Sequence, residues 1–328
     1  MSRFAKWLWI ILAAVGLPAF NTRTMRKPVY VGLYWGILLF ASAGVAAERF
    51  TVATYNVENY LTEPVPGRRV KSPESCAAVA TSLKAVDADV VILQEMGSTN
   101  AVEALRGQLN TMGLRYPHWT WEQGNDEAIH LAVLSRFPIV RRVSHTNDFF
   151  LIEGRRQRVK RGLLEVEIEV NAGYRFTLFN VHFKSKRPVP FGDESEIRLT
   201  EAVVLRKRLA ELFERDADAN VLVAGDMNDT PDSKPIKLLV GGRKKMLCDL
   251  RPGERDVAAG DARSGNSDVT WTYYYLQQDS YSRFDYLLAS RGMEREWIAE
   301  GSYVASIPGW LEASDHRPVV AEFFAGDK

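Results

Sequence analysis

Six short apolar runs rich in β-branched residues, Phe50 to Tyr55, Asp89 to Leu93, His130 to Leu134, Leu163 to Val170, Phe176 to Val181 and Val221 to Ala224, are each closed by polar or turn residues. Runs of this length and composition read as strands, and most have the near-continuous apolar character of strands buried on both faces. Between them, Ser72 to Val86 and Glu194 to Arg215 carry helical spacing, the first opened by a Ser-Pro pair suited to a helix cap and first turn. Leu163 to Val170 and Phe176 to Val181 flank Asn171-Ala172-Gly173, which reads as a hairpin turn. The chain must therefore build sheets of mixed direction covered by helices. From Arg49 onward no internal repeat, low-complexity tract or long polar linker marks a second domain.

Ahead of that region lie two apolar runs, Leu8 to Phe20 and Pro28 to Ala47, separated by Arg23, Arg26 and Lys27. Read from Met25, the order is a basic start, an uncharged apolar stretch and small residues ending at Ala47, which is the layout of a signal peptide. Met25 is then the expected true start and Ala47 the last residue before cleavage. The rival reading is an uncleaved anchor, because the second run approaches the roughly 20 residues needed to span a bilayer. Either way residues 1–47 target the chain, residues 48–328 form the catalytic domain, and that domain works outside the cytoplasm, in the periplasm or secreted.

The polar residues that invite chemistry stand immediately after the apolar runs. They fall in Tyr55-Asn56-Val57-Glu58, Gln94-Glu95, Asn180-Val181-His182, Gly225-Asp226-Met227-Asn228, Arg283-Phe284-Asp285-Tyr286 and Ser314-Asp315-His316-Arg317. Each has a bland reading: Glu95 as a solvated strand end, Asp226 and Asn228 as turn residues, a lone histidine as a hydrogen-bonded surface group. Against that, the i, i+2 spacing of Asp226 and Asn228 after a glycine turns both side chains to one side. His316, wedged between Asp315 and Arg317-Pro318, has little packing rationale. The remaining histidines, His118, His130 and His145, lack such neighbours and read as structural or exposed. The two cysteines, Cys76 and Cys248, could pair as one disulfide in an oxidising compartment, but two buried thiols are the expectation, and with neither in a CxxC pair the sequence argues against a thiolate zinc site. Any metal is held by oxygen, as suits Mg²⁺, Mn²⁺ or Ca²⁺, hard cations that bind oxygen ligands.

In that order, Asn56, Glu95, His182, Asp226, Asn228, Asp285, Asp315 and His316 resemble the endonuclease/exonuclease/phosphatase (DNase I-like) superfamily from Thr51 to Phe323. The stretch Leu134 to Ile139 also looks like that family's strand between the second and third motifs. The resemblance implies an α/β four-layer α/β/β/α sandwich, two packed mixed sheets flanked by helices, with the site at one end. It implies a metal bound by Glu95, with Asn56 nearby and Asp315 completing the set. Asp285 would hold His316, Asp226 would align or deprotonate the attacking water, and Asn228 would hydrogen-bond a phosphate oxygen. His182 would protonate the leaving oxygen or bind phosphate. A histidine at position 182 looks like the branch containing DNase I, sphingomyelinases and inositol polyphosphate phosphatases.

The formal net charge of +1 does not announce a nucleic-acid binder. Two local basic clusters do offer phosphate contacts, Lys184 with Lys186 and Arg187, and Arg155, Arg156, Arg158 and Lys160 with Arg161. Their bland reading is a pair of solvated loops. Trp271 to Tyr275 supplies aromatic faces for bases, although alternating aromatics are also ordinary strand material. The expected activity is an exported, metal-dependent phosphoesterase, first a nuclease acting as a monomer. Behind it stand a lipid or small-molecule phosphodiesterase or phosphatase, and then a catalytically silent binding module, which the complete set of eight site residues argues against.

Overall fold

Side-chain alternation along the strands divides this protein into layers. The computed structural model describes residues 49–241, 246–257 and 270–328, which belong to one unit, Ala46–Lys328. The expectations for residues 1–47 lie outside the described residues. In chain order the elements are β1 (Arg49–Tyr60), α1 (Pro73–Val86), β2 (Val90–Met96), α2 (Thr99–Thr111), β3 (His118–Glu122), β4 (His130–Ser135), β5 (Ile139–Ser144), β6 (Phe149–Ile152), β7 (Arg155–Arg158), β8 (Leu163–Asn171) and β9 (Tyr174–His182). They continue with α3 (Glu194–Phe213), β10 (Val221–Asp226), α4 (Lys234–Val240), β11 (Leu247–Asp249), β12 (Glu254–Asp256), β13 (Tyr273–Tyr275), β14 (Ser280–Ser282), β15 (Asp285–Ser290), α5 (Arg291–Glu296), β16 (Trp297–Ser306), α6 (Trp310–Ala313) and β17 (Val319–Phe324).

One sheet has seven strands in the order β12-β16-β17-β1-β2-β4-β3 and the other six in the order β11-β15-β10-β9-β8-β5. Both are mixed: β1 runs parallel to β2 and antiparallel to β17, while β10 runs parallel to β9 and antiparallel to β15. Two ribbons, β6-β7 and β13-β14, stand apart from the main sheets.

On β1, β2 and β4 the residues Val52, Val90, Ile92, Leu131 and Val133 meet Leu178, Leu222 and Ala224 in the core between the sheets. Their neighbours Ala53, Tyr55, Val91, Leu93, Ala132 and Leu134 point the other way, under α1 and α2. On the second sheet Phe179, Val181, Val221 and Val223 likewise turn outward onto α3 and α4. The result is the expected four-layer α/β/β/α sandwich, in which every central strand is apolar on both faces because both faces are covered.

The helices start where local chemistry allows. Ser72 caps α1 by accepting the Ser75 amide at 3.0 Å, with Pro73 in the first turn, and Asp193 caps α3 through the amides of Ser195 and Glu196. The Asn171 hairpin turn joins β8 and β9 as expected. Three expectations change. Leu134 to Ile139 is not one strand: β4 ends at Ser135 in the seven-stranded sheet, and beyond Pro138 the chain restarts as β5 in the other sheet. A proline cannot donate to a ladder, so the break falls where the chain crosses between layers. Arg155, Arg156 and Arg158 of the second basic cluster lie on a β-ribbon rather than a loop, and Cys76 is buried on the inner face of α1 whereas Cys248 is only half-buried.

Candidate active site

The inter-sheet stripe of each central strand turns from apolar to polar at one end of the sandwich. On β1 the parity that buries Phe50 and Val52 continues to Thr54 and Asn56; on β9 that of Phe176 and Leu178 continues to Asn180 and His182. On β10 it reaches Asp226, which pairs in register with His182 on one side and Asp285 of β15 on the other. Side-chain alternation alone thus delivers His182, Asp226 and Asp285 as a row. Gly225, with φ +142°, permits the close approach of β10 to β9, since a Cβ there would lie 1.9 Å from the Val181 carbonyl oxygen.

Glu95 is the exception to parity, following Gln94 and so destined for the helix side. Irregularities in the β1-β2 and β2-β4 ladders fall here, and Glu95 adopts φ +63°, which re-aims its carboxylate into the cleft. Glu58, Asn59 and Asn228 also have positive φ, so backbone strain concentrates around this site.

Behind the cleft the sheets are locked by polar groups. Gln94 Nε2 donates to Asn180 Oδ1 at 2.9 Å, and Asn180 Nδ2 donates to the carbonyls of Leu93 and Ala132. Both side chains are fully buried, so these motif residues act as a strut, with each buried polar atom paired.

Asp226 is the hub. Its Oδ2 accepts from Asn56 Nδ2 and Asn228 Nδ2, each at 3.0 Å, and lies 3.4 Å from His182 Nε2 and 3.8 Å from His316 Nε2. Burial pushes its carboxyl up to about 7, against the opposing pull of His316 and with further push from Asp285. His316 Nδ1 sits 2.8 Å from Asp285 Oδ2, and the backbone amide of Asp285 donates to Thr272 Oγ1. Burial alone would discharge this imidazole, but Asp285, Asp226 and Asp315 hold it well above the ordinary histidine value. His182 goes the opposite way: burial first, then the positive charges of Arg161, His316, Arg68 and Lys184, push it well below that value.

All eight sequence-derived residues meet at this end, yet two of the expected phosphate contacts shift. Asn56 turns its Nδ2 toward Asp226 and Glu95 while its Oδ1 accepts the Glu58 amide. Asn228 donates to Asp226 and to the Phe183 carbonyl, which occupies the amide hydrogens expected to reach a phosphate. Lys184 does not face the cleft: its Nζ donates to the carbonyls of Ser185 and Arg187, and its backbone amide to buried Glu201. Arg161 does line the cleft, buried, with Nε and Nη1 lacking hydrogen-bond partners and Asp126 at 3.7 Å.

The cleft encloses about 680 Å³. Two of its walls, Arg68 and Phe284, are not among the binding residues expected from the sequence. Arg68 enters from the loop after β1, and Phe284 stacks at 4.9 Å on Tyr273 of the expected aromatic run, with Lys186 over the Phe284 ring. Only Tyr273 and Lys186, from the aromatic run and the basic triplet, signal the Phe284 wall. Buried Arg317, stacked on Trp271, and the Arg317 amide bonded to the Thr272 carbonyl hold the aromatic segment against the His316 loop.

Among the described residues no cluster of three or more His, Cys, Asp or Glu side chains is placed to hold a metal ion by itself. The donors nevertheless suit a hard cation that keeps most of its waters. Glu95 and Asp315 are partly exposed carboxylates on the cleft wall, which Asp226 also lines.

Two packed mixed sheets with a carboxylate, amide and histidine cluster at one end define a phosphoesterase-type site. The family model described as the Endonuclease/Exonuclease/phosphatase family matches residues 53–316, and the chain belongs to that family. Its members are typically phosphoric ester hydrolases that generally use divalent metals. Among solved structures, truncated TDP2 of Caenorhabditis elegans is similar at 19% identity and TM-score 0.57, covering 84% of this chain and 98% of that one. An endonuclease/exonuclease/phosphatase from Bacteroides vulgatus aligns at 15% identity and TM-score 0.56, covering 84% and 99%. One from Beutenbergia cavernae aligns at 18% and 0.54, covering 85% and 72%. No curated protein matches the chain.

Proposed function

We propose that this protein is a divalent-cation-dependent phosphodiesterase whose substrate is a nucleic acid, acting outside the cytoplasm. The observation that carries the chemistry is the convergence of Asn56, Asn228, His182 and His316 on one oxygen of Asp226. Glu95 and Asp315 would hold a Mg²⁺, Mn²⁺ or Ca²⁺ ion, which when bound compensates charge on the phosphoryl oxygens. Asp226, steered by the two amides, takes a proton from an in-line water. His316, kept charged by Asp285, presents a cationic N–H to the oxygens that gain charge in the transition state. Burial and the nearby positive charges favour the neutral form of His182, whose Nε2 lies 3.4 Å from Asp226 Oδ2, so it positions and does not supply a proton at neutral pH. Arg161 adds a fixed positive charge on the far wall. Export is supported by the apolar run from Pro28 to Ala47 and its small-residue end.

A second reading, a lipid phosphodiesterase, is favoured by the β6-β7 ribbon. Phe149 and Leu151 are exposed there, directly across from Arg158 and Arg156, a mixture suited to a membrane surface.

Turnover of bis-p-nitrophenyl phosphate with and without chelator tests the enzyme reading, and plasmid DNA, RNA, sphingomyelin and inositol phosphates separate the substrates. Turnover that stops with chelator and returns with Mg²⁺ or Mn²⁺ is expected. Turnover indifferent to chelator would refute metal dependence, and sphingomyelin cleavage without DNA or RNA cleavage would select the second reading.

A further inference from the structure

The catalytic cleft does not end at Arg68. Beyond it lies a second trench of about 370 Å³, lined by Arg68, Arg69, Lys71 and Arg187 and sharing Glu58, Asn59, Arg68 and Arg187 with the first. We infer that this trench holds the phosphodiester next to the scissile one, so that the substrate is a polynucleotide strand; this rests on the nuclease reading above.

Charge pairing is the main argument. Several arginines of the sandwich meet carboxylates, Arg136 with Asp87 and Asp89, Arg141 with Glu165 and Glu167, Arg208 with Asp148 and Arg283 with Asp249, whereas those of the trench stand together on one concave surface without such a pair. Among the described residues, Arg68, Arg69 and Arg187 have no carboxylate within 4.0 Å. Arg68 is held instead by Asn59 Oδ1, and Lys71 by the Glu58 carbonyl at 3.0 Å, so neither is neutralised. The one acid in the trench, Glu58, gives its Oε2 to the Asp315 amide, toward the catalytic side.

Three guanidinium groups with no carboxylate within 4.0 Å among the described residues, beside the Lys71 ammonium in a concave surface continuous with a phosphoesterase cleft, select an anion. Position selects which anion. The trench shares a wall of Glu58, Asn59, Arg68 and Arg187 with the cleft that holds Asp226, so a phosphate bound here would neighbour the one at the catalytic centre, as the next phosphate of the same strand does. A single small ester fills only the first cleft, and a head group carrying a quaternary ammonium would be repelled by these residues. The aromatic wall of Tyr273 and Phe284 on the other side of the cleft offers a face for a base.

The test compares kcat/KM for a single-stranded oligonucleotide and for bis-p-nitrophenyl phosphate in the full chain and in Arg69→Glu, which lines the trench alone. The ratio of the two kcat/KM values is expected to fall about tenfold, and the salt dependence of oligonucleotide KM to lose roughly one phosphate contact. Lys84→Glu, the same charge change on the exposed face of α1, is expected to leave the ratio intact. An unchanged ratio in Arg69→Glu, or an equal fall in Lys84→Glu, overturns the trench. Wild-type protein that hydrolyses the small diester but cleaves neither DNA nor RNA overturns the nuclease reading itself, a result visible before any variant is made.

Discussion

His182 and His316 are nearly alike in burial, 2% and 4% exposed, and both face the same oxygen of Asp226, yet they are held in opposite protonation states. The half of the site around His316 carries the negative charges of Asp285 and Asp315; the half around His182 lies in the field of the positive charges of Arg161, Arg68 and, from outside the cleft, Lys184. The residue type is identical and the burial is equal, so the neighbours assign the roles. A site built this way has a charged donor and a neutral one ready at the same pH, which is how paired titratable groups divide acid and base work.

The largest effect should come from breaking the acid-lined half. His316→Ala is expected to lower kcat on bis-p-nitrophenyl phosphate by about 10³-fold, and Asp285→Asn by about 10²-fold, within the range of general acid–base losses. Circular dichroism should remain native, because Asn can still accept the backbone geometry set by Thr272. A near-normal rate in His316→Ala would remove that half from the chemistry. Arg161→Met addresses the other half: about a tenfold rise in KM is expected with a smaller change in kcat, since the charge is lost while the stem still fills its place.

A ¹H–¹⁵N titration of the imidazoles reads the contrast directly. His316 should stay protonated well above pH 6.5, and His182 neutral well below it. In stability terms the signs differ. The contribution of His316 is complete below its unfolded value and fades as pH rises through its raised folded value. That of His182 is present above the unfolded value and is lost as pH falls toward its depressed folded one. Matching midpoints for the two rings would erase the comparison.

The smallest effect on activity belongs to the opposite end of the sandwich, where buried Glu296 is bonded by Tyr174 Oη–H and pushed up to about 7 by burial and Asp327. A raised carboxyl stabilises the fold below its unfolded value near 4.5 and loses that contribution as pH rises through about 7. Glu296→Gln should therefore gain on the order of 2–3 kcal/mol relative to wild type at pH 8, and much less at pH 4, with kcat unchanged. Chemical denaturation at the two pH values checks this.

Much of this was legible because strand parity is local. The six apolar runs became β1, β2, β4, β8, β9 and β10, and polar residues at their ends were bound to fall on one rim of the sandwich. What a single chain does not announce is which donor faces which acceptor. Asn56 and Asn228 carry one amide and one carbonyl each, and only the folded partners decide that both amides serve Asp226. Lys184, next but one to His182, reads as a phosphate ligand until the loop carbonyls of Ser185 and Arg187 are seen to take its ammonium. The bulge that turns Glu95 inward leaves no composition signal, and Arg68 and Arg69 of the trench come from a loop that resembles any polar connection, whereas Arg187 stands in the basic triplet the sequence singles out.

The central claim is that residues from two different sheets form a single catalytic unit, and a double-mutant cycle tests it most directly. Glu95→Gln alters the seven-stranded sheet and Asp226→Asn the six-stranded one. If they serve one reaction centre, the double variant should retain about the same kcat/KM on bis-p-nitrophenyl phosphate as the worse single variant. Losses that multiply, as for independent sites, would contradict the account.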